Sequence, residues 1–118
     1  MSRYMVLIPG DEAAWAETDQ AEKERVYQAH TDFAKLLADR GHTFVTGAEL
    51  APSREGRVVS GDLDAVTVTD GPYAESAEQL SGFYVIDTED VDDLCRCVGR
   101  LTGTGGRIEV RECRGGGM

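Results

Sequence analysis

Few side chains in this sequence could do chemistry, and His30 leads them. It lies four residues after Val26, three before Phe33 and seven before Leu37, on the apolar stripe of an expected helix, where a polar ring needs a partner. Two readings stay open: a core histidine bonded to backbone, or a general base whose pKa is lowered by burial and raised by a carboxylate. Asp70 opens the run Asp-Gly-Pro, where an aspartate often bonds its own following backbone. Tyr73 brings a phenol to the same loop, as rim packing or as a ligand donor. Glu75 and Glu78 are three apart, which suits a solvated face or a shared proton or cation. His42 follows Gly41 at the expected end of a helix, beside its last carbonyls. Cys95 and Cys97, two apart on a second helix, point to different sides and suit neither a disulfide nor a zinc pair. With Cys113 they make an odd number of cysteines and read as packed or half-packed reduced thiols.

The elements that must position these residues are legible as changes of period. Arg3 to Pro9 is β-rich, apolar on both faces and stopped by Pro-Gly. Asp11 to Thr18 reads as a short helical turn anchored by Trp15. Asp19 followed by Glu22 resembles a capping box, and Gly41 supplies a stop. Between them Val26, Ala29, Phe33, Leu36 and Leu37 recur at helical spacing. His42–Leu50 reads as a strand, and the runs Gly56–Gly61 and Asp64–Asp70 as a hairpin turning near Gly61 and Asp62. Leu80–Asp87 is the next strand. Thr88 or Asp87 can cap a helix from Asp90 to Leu101, with Val91, Leu94, Cys95, Val98 and Leu101 on one side. Gly103–Gly106 ends it, and Arg107–Cys113 closes the chain as a last strand.

This order predicts an α+β domain of ferredoxin-like, split β-α-β plan with an extra hairpin. One domain is expected over residues 1–113, with 114–118 as a flexible tail. Two main helices can cover only one face of a four-stranded sheet. Yet Tyr4, Val6 and Ile8 alternate with Met5 and Leu7, and Leu80, Tyr84 and Ile86 alternate with Phe83 and Val85, so both faces are apolar. A second copy of the chain is the economical cover, which predicts a homodimer.

Composition excludes several classes of function. The 118 residues carry 22 acids against 12 bases, a net charge of −10, which repels phosphate backbones and argues against nucleic acid as a partner. Ten of the bases are arginines, scattered along the chain. No apolar run approaches the ~20 residues of a membrane span, and the N-terminus lacks a signal-peptide cleavage site, so a cytoplasmic protein without membrane association is expected. Nucleotide, metal and flavin motifs are absent, so neither a cofactor nor a metal is expected.

The run from Asp70 to Asp87, DGPYAESAEQLSGFYVID, resembles the signature of the DGPF branch of YCII-related proteins. The resemblance extends over nearly the whole chain, through YMVLIPGDEAAW, AHTDFAKLLADRG, TGAELAP and RIEVREC. Tyr73 stands where Phe is usual, Ala77 where Lys is common and Ser81 where the first of two glycines sits. The resemblance implies a ferredoxin-like domain that dimerises sheet to sheet, as in dimeric α/β barrels. It also implies a pocket with a histidine on the first long helix and an aspartate just after a central strand, matched here by His30 and Asp70, as an acid–base pair. Asp70 would then hold His30 in one tautomer, with Tyr73, Glu75 and Tyr84 as substrate-binding candidates around the pocket. The family's role is unassigned. Two functions are carried forward: a cofactor-free acid–base enzyme of isomerase, lyase or dehalogenase type acting on a small organic molecule, and a non-catalytic small-molecule-binding or regulatory dimer. Neighbouring genes for extracytoplasmic-function sigma factors, common in this branch, favour the second.

Overall fold

The computed structural model describes residues 1–103 and 106–115. Residues 104 and 105 of the expected glycine stop, and 116–118 of the expected tail, lie outside them. The chain runs as β1 (Ser2–Asp11), α1 (Glu12–Ala16), α2 (Gln20–Asp39), β2 (Thr43–Glu49), a single 3-10 turn (Ser53–Glu55), β3 (Arg57–Ser60), β4 (Thr67–Asp70), β5 (Glu78–Thr88), α3 (Val91–Thr102) and β6 (Glu109–Glu112). Both longer helices begin at an aspartate. The Asp19 side chain accepts the Glu22 N–H at 2.8 Å, and Asp90 accepts the Asp93 N–H at 3.0 Å, each satisfying one donor that the first turn leaves without an intrahelical partner. Gly41, with φ +81°, ends α2 in the left-handed region that suits glycine. Trp15 anchors α1 on α2 edge-on against Tyr27, with ring centroids 6.0 Å apart.

Four strands form one antiparallel sheet in the order β2-β5-β1-β6, the ferredoxin-like arrangement. Helices α2 and α3 cover one face. Their buried Phe33, Leu37, Leu94, Cys97 and Val98 pack on Val6 and Ile86. The alternate positions Met5, Leu7, Phe83 and Val85 fall on the other face, half-buried and outside this core.

The remaining pair, β3 and β4, forms a separate two-stranded sheet, the expected extra hairpin. It projects from the body: the chain extends 49 × 41 × 17 Å with a radius of gyration of 16.4 Å, against roughly 13–14 Å for a compact chain of this length. The loop that follows is held at both ends. Gly71 has φ +114°, and its N–H donates to the Gly56 carbonyl at 2.8 Å. Further on, the Gln79 amide donates to the Ala74 and Ser76 carbonyls.

Some expectations need correction. The cap of α3 is Asp90, because Asp87 is held across β1 by Arg3 at 2.8 Å and the Thr88 hydroxyl accepts the Asp90 N–H. Cys95 is exposed while Cys97 is buried. Leu80 does not continue the face of Tyr84 and Ile86: the register shifts between Ile8 and Pro9, which face Gly82 and Leu80 respectively, and this irregularity breaks the two-residue alternation. Glu75 and Glu78 share no helical turn, since Glu78 already begins β5.

Candidate functional site

The amphipathic pattern of α2 turns His30 towards the sheet, and Tyr84, near the middle of β5, rises to meet it. Nδ1 of His30 lies 2.7 Å from the Tyr84 hydroxyl. Three further contacts hold the phenol ring in place. Phe33 lies against it with centroids 5.3 Å apart, Phe44 meets it edge-on at 5.8 Å, and Gly47 is its cross-strand partner on β2. Gly47 has no room for a side chain, because a Cβ there would lie 2.6 Å from Tyr84 Cδ1 and 2.8 Å from the Phe83 carbonyl oxygen. A glycine at this position lets β2 approach a large ring closely.

Burial acts on the two partners in opposite senses. It lowers the pKa of half-buried His30, with the Glu49 carboxylate opposing it as the smaller influence. It raises that of Tyr84. Both shifts favour uncharged forms, so near neutral pH the pair is a neutral imidazole beside a protonated phenol. His30 also lines a groove of about 370 Å³ together with Val26, Ala29, Arg25, Arg100 and Leu101. A neutral ring held at one nitrogen beside such a groove can accept or donate a proton at the other.

Among the described residues, no hydrogen bond or ion pair joins Asp70 to His30. Asp70 closes β4, exposed, opposite Arg57, and the acid whose charge bears on the ring is Glu49. The partner found for His30 within one chain is therefore Tyr84. Tyr73 is 95% exposed and Glu75 is exposed in the loop; neither is bonded to His30 or Tyr84.

His42 has a richer environment than its position predicts. Only 7% of it is exposed. Its backbone N–H meets the Leu37 carbonyl, as expected at a helix end. Its ring, however, bridges Thr88 Oγ1 at 2.7 Å and Asp93 Oδ2 at 2.8 Å, tying the start of β2 to the end of β5 and to α3. Arg40 also bonds Asp93, at 3.0 Å. The His42 bond and this guanidinium hold the carboxyl below the usual aspartate range. Donor atoms of His42, Asp93 and Cys97 lie within 4.8 Å of one another, close enough for a metal by distance alone. Arg40 and Arg96 beside Asp93 supply the positive charge a cation would bring, and burial pushes the Cys97 thiol up, away from thiolate. The cluster is a buried polar tie between elements. The one sequence cue was a histidine directly after a helix-ending glycine.

Residues 2–114 match the model of the YCII-related domain. The chain belongs to the YCII-related family. It is also similar to an uncharacterised protein of Rhizobium meliloti (strain 1021), 31% identical over 111 residues that cover 92% of this chain and 89% of the relative. The family match takes in all six strands and three helices, so the His30–Tyr84 pair and the projecting hairpin both lie on the YCII-related domain.

Proposed function

We propose that this YCII-related protein binds a small organic molecule in the groove beside His30 and moves a proton on it without a cofactor, in an isomerase, lyase or dehalogenase type of reaction. The carrying observation is the 2.7 Å contact of His30 Nδ1 with the Tyr84 hydroxyl on a ring that lines a groove. In this reading Tyr84 positions the imidazole and His30 is the acid–base group. Glu49 tunes it, and Asp70, Tyr73 and Glu75 serve the groove only if a second copy brings its hairpin there. A homodimer through the outer face of Met5, Leu7, Phe83 and Val85 belongs to the same proposal, because those apolar side chains lie outside the core of one chain. Light scattering at micromolar concentration should give twice the chain mass; a stable 12.8 kDa monomer would remove that part.

The test of chemistry is deuterium incorporation from solvent into a panel of small keto and halogenated acids, followed by NMR. Wild type should label or convert at least one compound, and His30→Gln should not, while still binding it. Turnover that survives His30→Gln would refute the assignment. The second reading, a binding or regulatory dimer, is favoured by one observation: His30 has a phenol as its hydrogen-bond partner, with no acid bonded to it among the described residues. Saturable binding across the panel with no labelling would support that reading.

A further inference from the structure

Four of the ten arginines lie along one seam, in a protein of net charge −10. Arg40, Arg96 and Arg100 line a groove of about 500 Å³ between α2 and α3, floored by Leu36, Gly99 and Gly103. Arg100 also lines the neighbouring groove that holds His30 and Arg25. No acid lines the first groove. Asp93, the carboxylate bonded to Arg40 and Arg96, is shared three ways, by Arg40 at 3.0 Å, Arg96 at 3.4 Å and His42 at 2.8 Å. One carboxylate offers about four lone-pair sites while each guanidinium has five N–H donors, so the seam holds more donors than Asp93 can accept. Arg100 has no ion pair among the described residues.

Two further features suit a ligand better than a solvated face. Arg96 and Arg100 are four apart on α3, a like-charge pairing that works against the helix. Gly99 sits between them in the helix interior, where glycine is unfavourable, although a Cβ there would meet nothing within 4 Å. Packing does not require this glycine, and its lack of a side chain keeps the groove floor low. The volume is in the range of small-ligand sites.

The geometry points to the α2–α3 seam as a binding site for a small multivalent oxyanion, one bearing phosphate or several carboxylates, held by Arg40, Arg96 and Arg100. Guanidinium forks match both groups bidentately. A small anion suits the seam better than a polyanion, which the rest of this acidic surface would repel. The inference does not rest on proton transfer at His30, and its test reads binding alone.

Arginine Nε–Hε resonances of the whole chain are followed by NMR during titration with inorganic phosphate, and separately with citrate, against chloride at constant ionic strength. Saturable shifts at Arg96 and Arg100, with Arg111 unmoved, are expected for at least one probe, and the tighter probe names the class. Arg100→Gln should weaken binding about tenfold, the loss of one charge-assisted contact. Gly99→Leu, which fills the floor while leaving every charge in place, should weaken it as well. Linear shifts common to Arg96, Arg100 and Arg111, or an affinity unchanged in Arg100→Gln with the fold intact by circular dichroism, would overturn the proposal. So would binding of an RNA oligomer more tightly than of either small anion.

Discussion

Replacing Gly47 by alanine should break the His30–Tyr84 pair without touching either residue. The added Cβ would lie 2.6 Å from Tyr84 Cδ1, where ordinary carbon contacts are about 3.5–4.0 Å, so the ring must move by about 1 Å. Backbone blocks the alternative, since the same Cβ meets the Phe83 carbonyl oxygen at 2.8 Å. A ring moved that far no longer holds its hydroxyl at the 2.7 Å contact with His30, and a shift of about 1 Å is enough to carry it past the usual hydrogen-bond limit of about 3.2 Å. Overpacking of this kind costs about 1–3 kcal/mol and the lost hydrogen bond about 1 kcal/mol. Stiffening of the unfolded chain returns about 0.4–1 kcal/mol. The net loss is then about 1–3.5 kcal/mol, read as a lower urea midpoint at unchanged m-value. Burial is the main cause of the lowered His30 pKa, so opening the contact to water should raise it towards the ordinary value. Tyr84→Phe separates the two effects, because it removes the hydroxyl without strain. Wild-type stability in Gly47→Ala, with an unchanged His30 titration, would refute the account of how β2, β5 and α2 meet.

Other outcomes follow from the same contacts. Leu94, fully buried against Val6 and Ile86, should cost about 2–5 kcal/mol on truncation to alanine, measured by denaturant titration. Gly99→Ala should stabilise by about 0.5–1 kcal/mol, since nothing obstructs its Cβ; a lower melting temperature would contradict that. Glu49→Gln should lower the His30 pKa further, and Asp70→Asn should leave it unchanged, because among the described residues Glu49 is the one charge that acts on the ring; NMR titration of both variants decides. His30 in its folded state protonates below the unfolded value of 6.5, so the unfolded chain takes up the proton first. Its contribution to stability is full above that value and is lost as pH falls from there through the folded pKa; His30→Gln should flatten the pH profile in that window.

The sequence displayed what depends on local period and turn chemistry. Asp19 and Glu22 before a helical stripe, the turn at Gly61 and Asp62, and alternation in β1 and β5 were all readable, and with them the ferredoxin-like order. His30 was legible as a polar residue on the buried stripe of α2 for the same reason. Its partner was not. Tyr84 could be marked only as a ring near a pocket, because pairing across 54 residues depends on how α2 lies over β5. Glu49 looked like any exposed acid ending a strand, and Gly47 like any strand glycine, until the register placed it opposite Tyr84. Asp70 was drawn to His30 by resemblance, while the hairpin that carries it pairs only with itself. A histidine after a helix usually meets carbonyls, so nothing in the sequence signalled that Asp93 reaches His42 from α3.

What the pair can do depends on which partner donates. A phenol that burial keeps protonated is the natural donor, and an imidazole that burial keeps neutral has one ring nitrogen free to accept. If the Tyr84 hydroxyl donates to Nδ1, the other nitrogen carries the hydrogen and offers the groove a donor, suited to a substrate oxygen that gains negative charge. If Nδ1 donates to the phenol oxygen, the other nitrogen offers a lone pair, and His30 is a base. An anionic substrate held along the arginine seam would favour protonated imidazole, as Glu49 does, and so oppose the effect of burial. The acid–base character of His30 is thus set by three local influences, burial, Glu49 and the charge of what occupies the groove, and the last is the one that ligand brings.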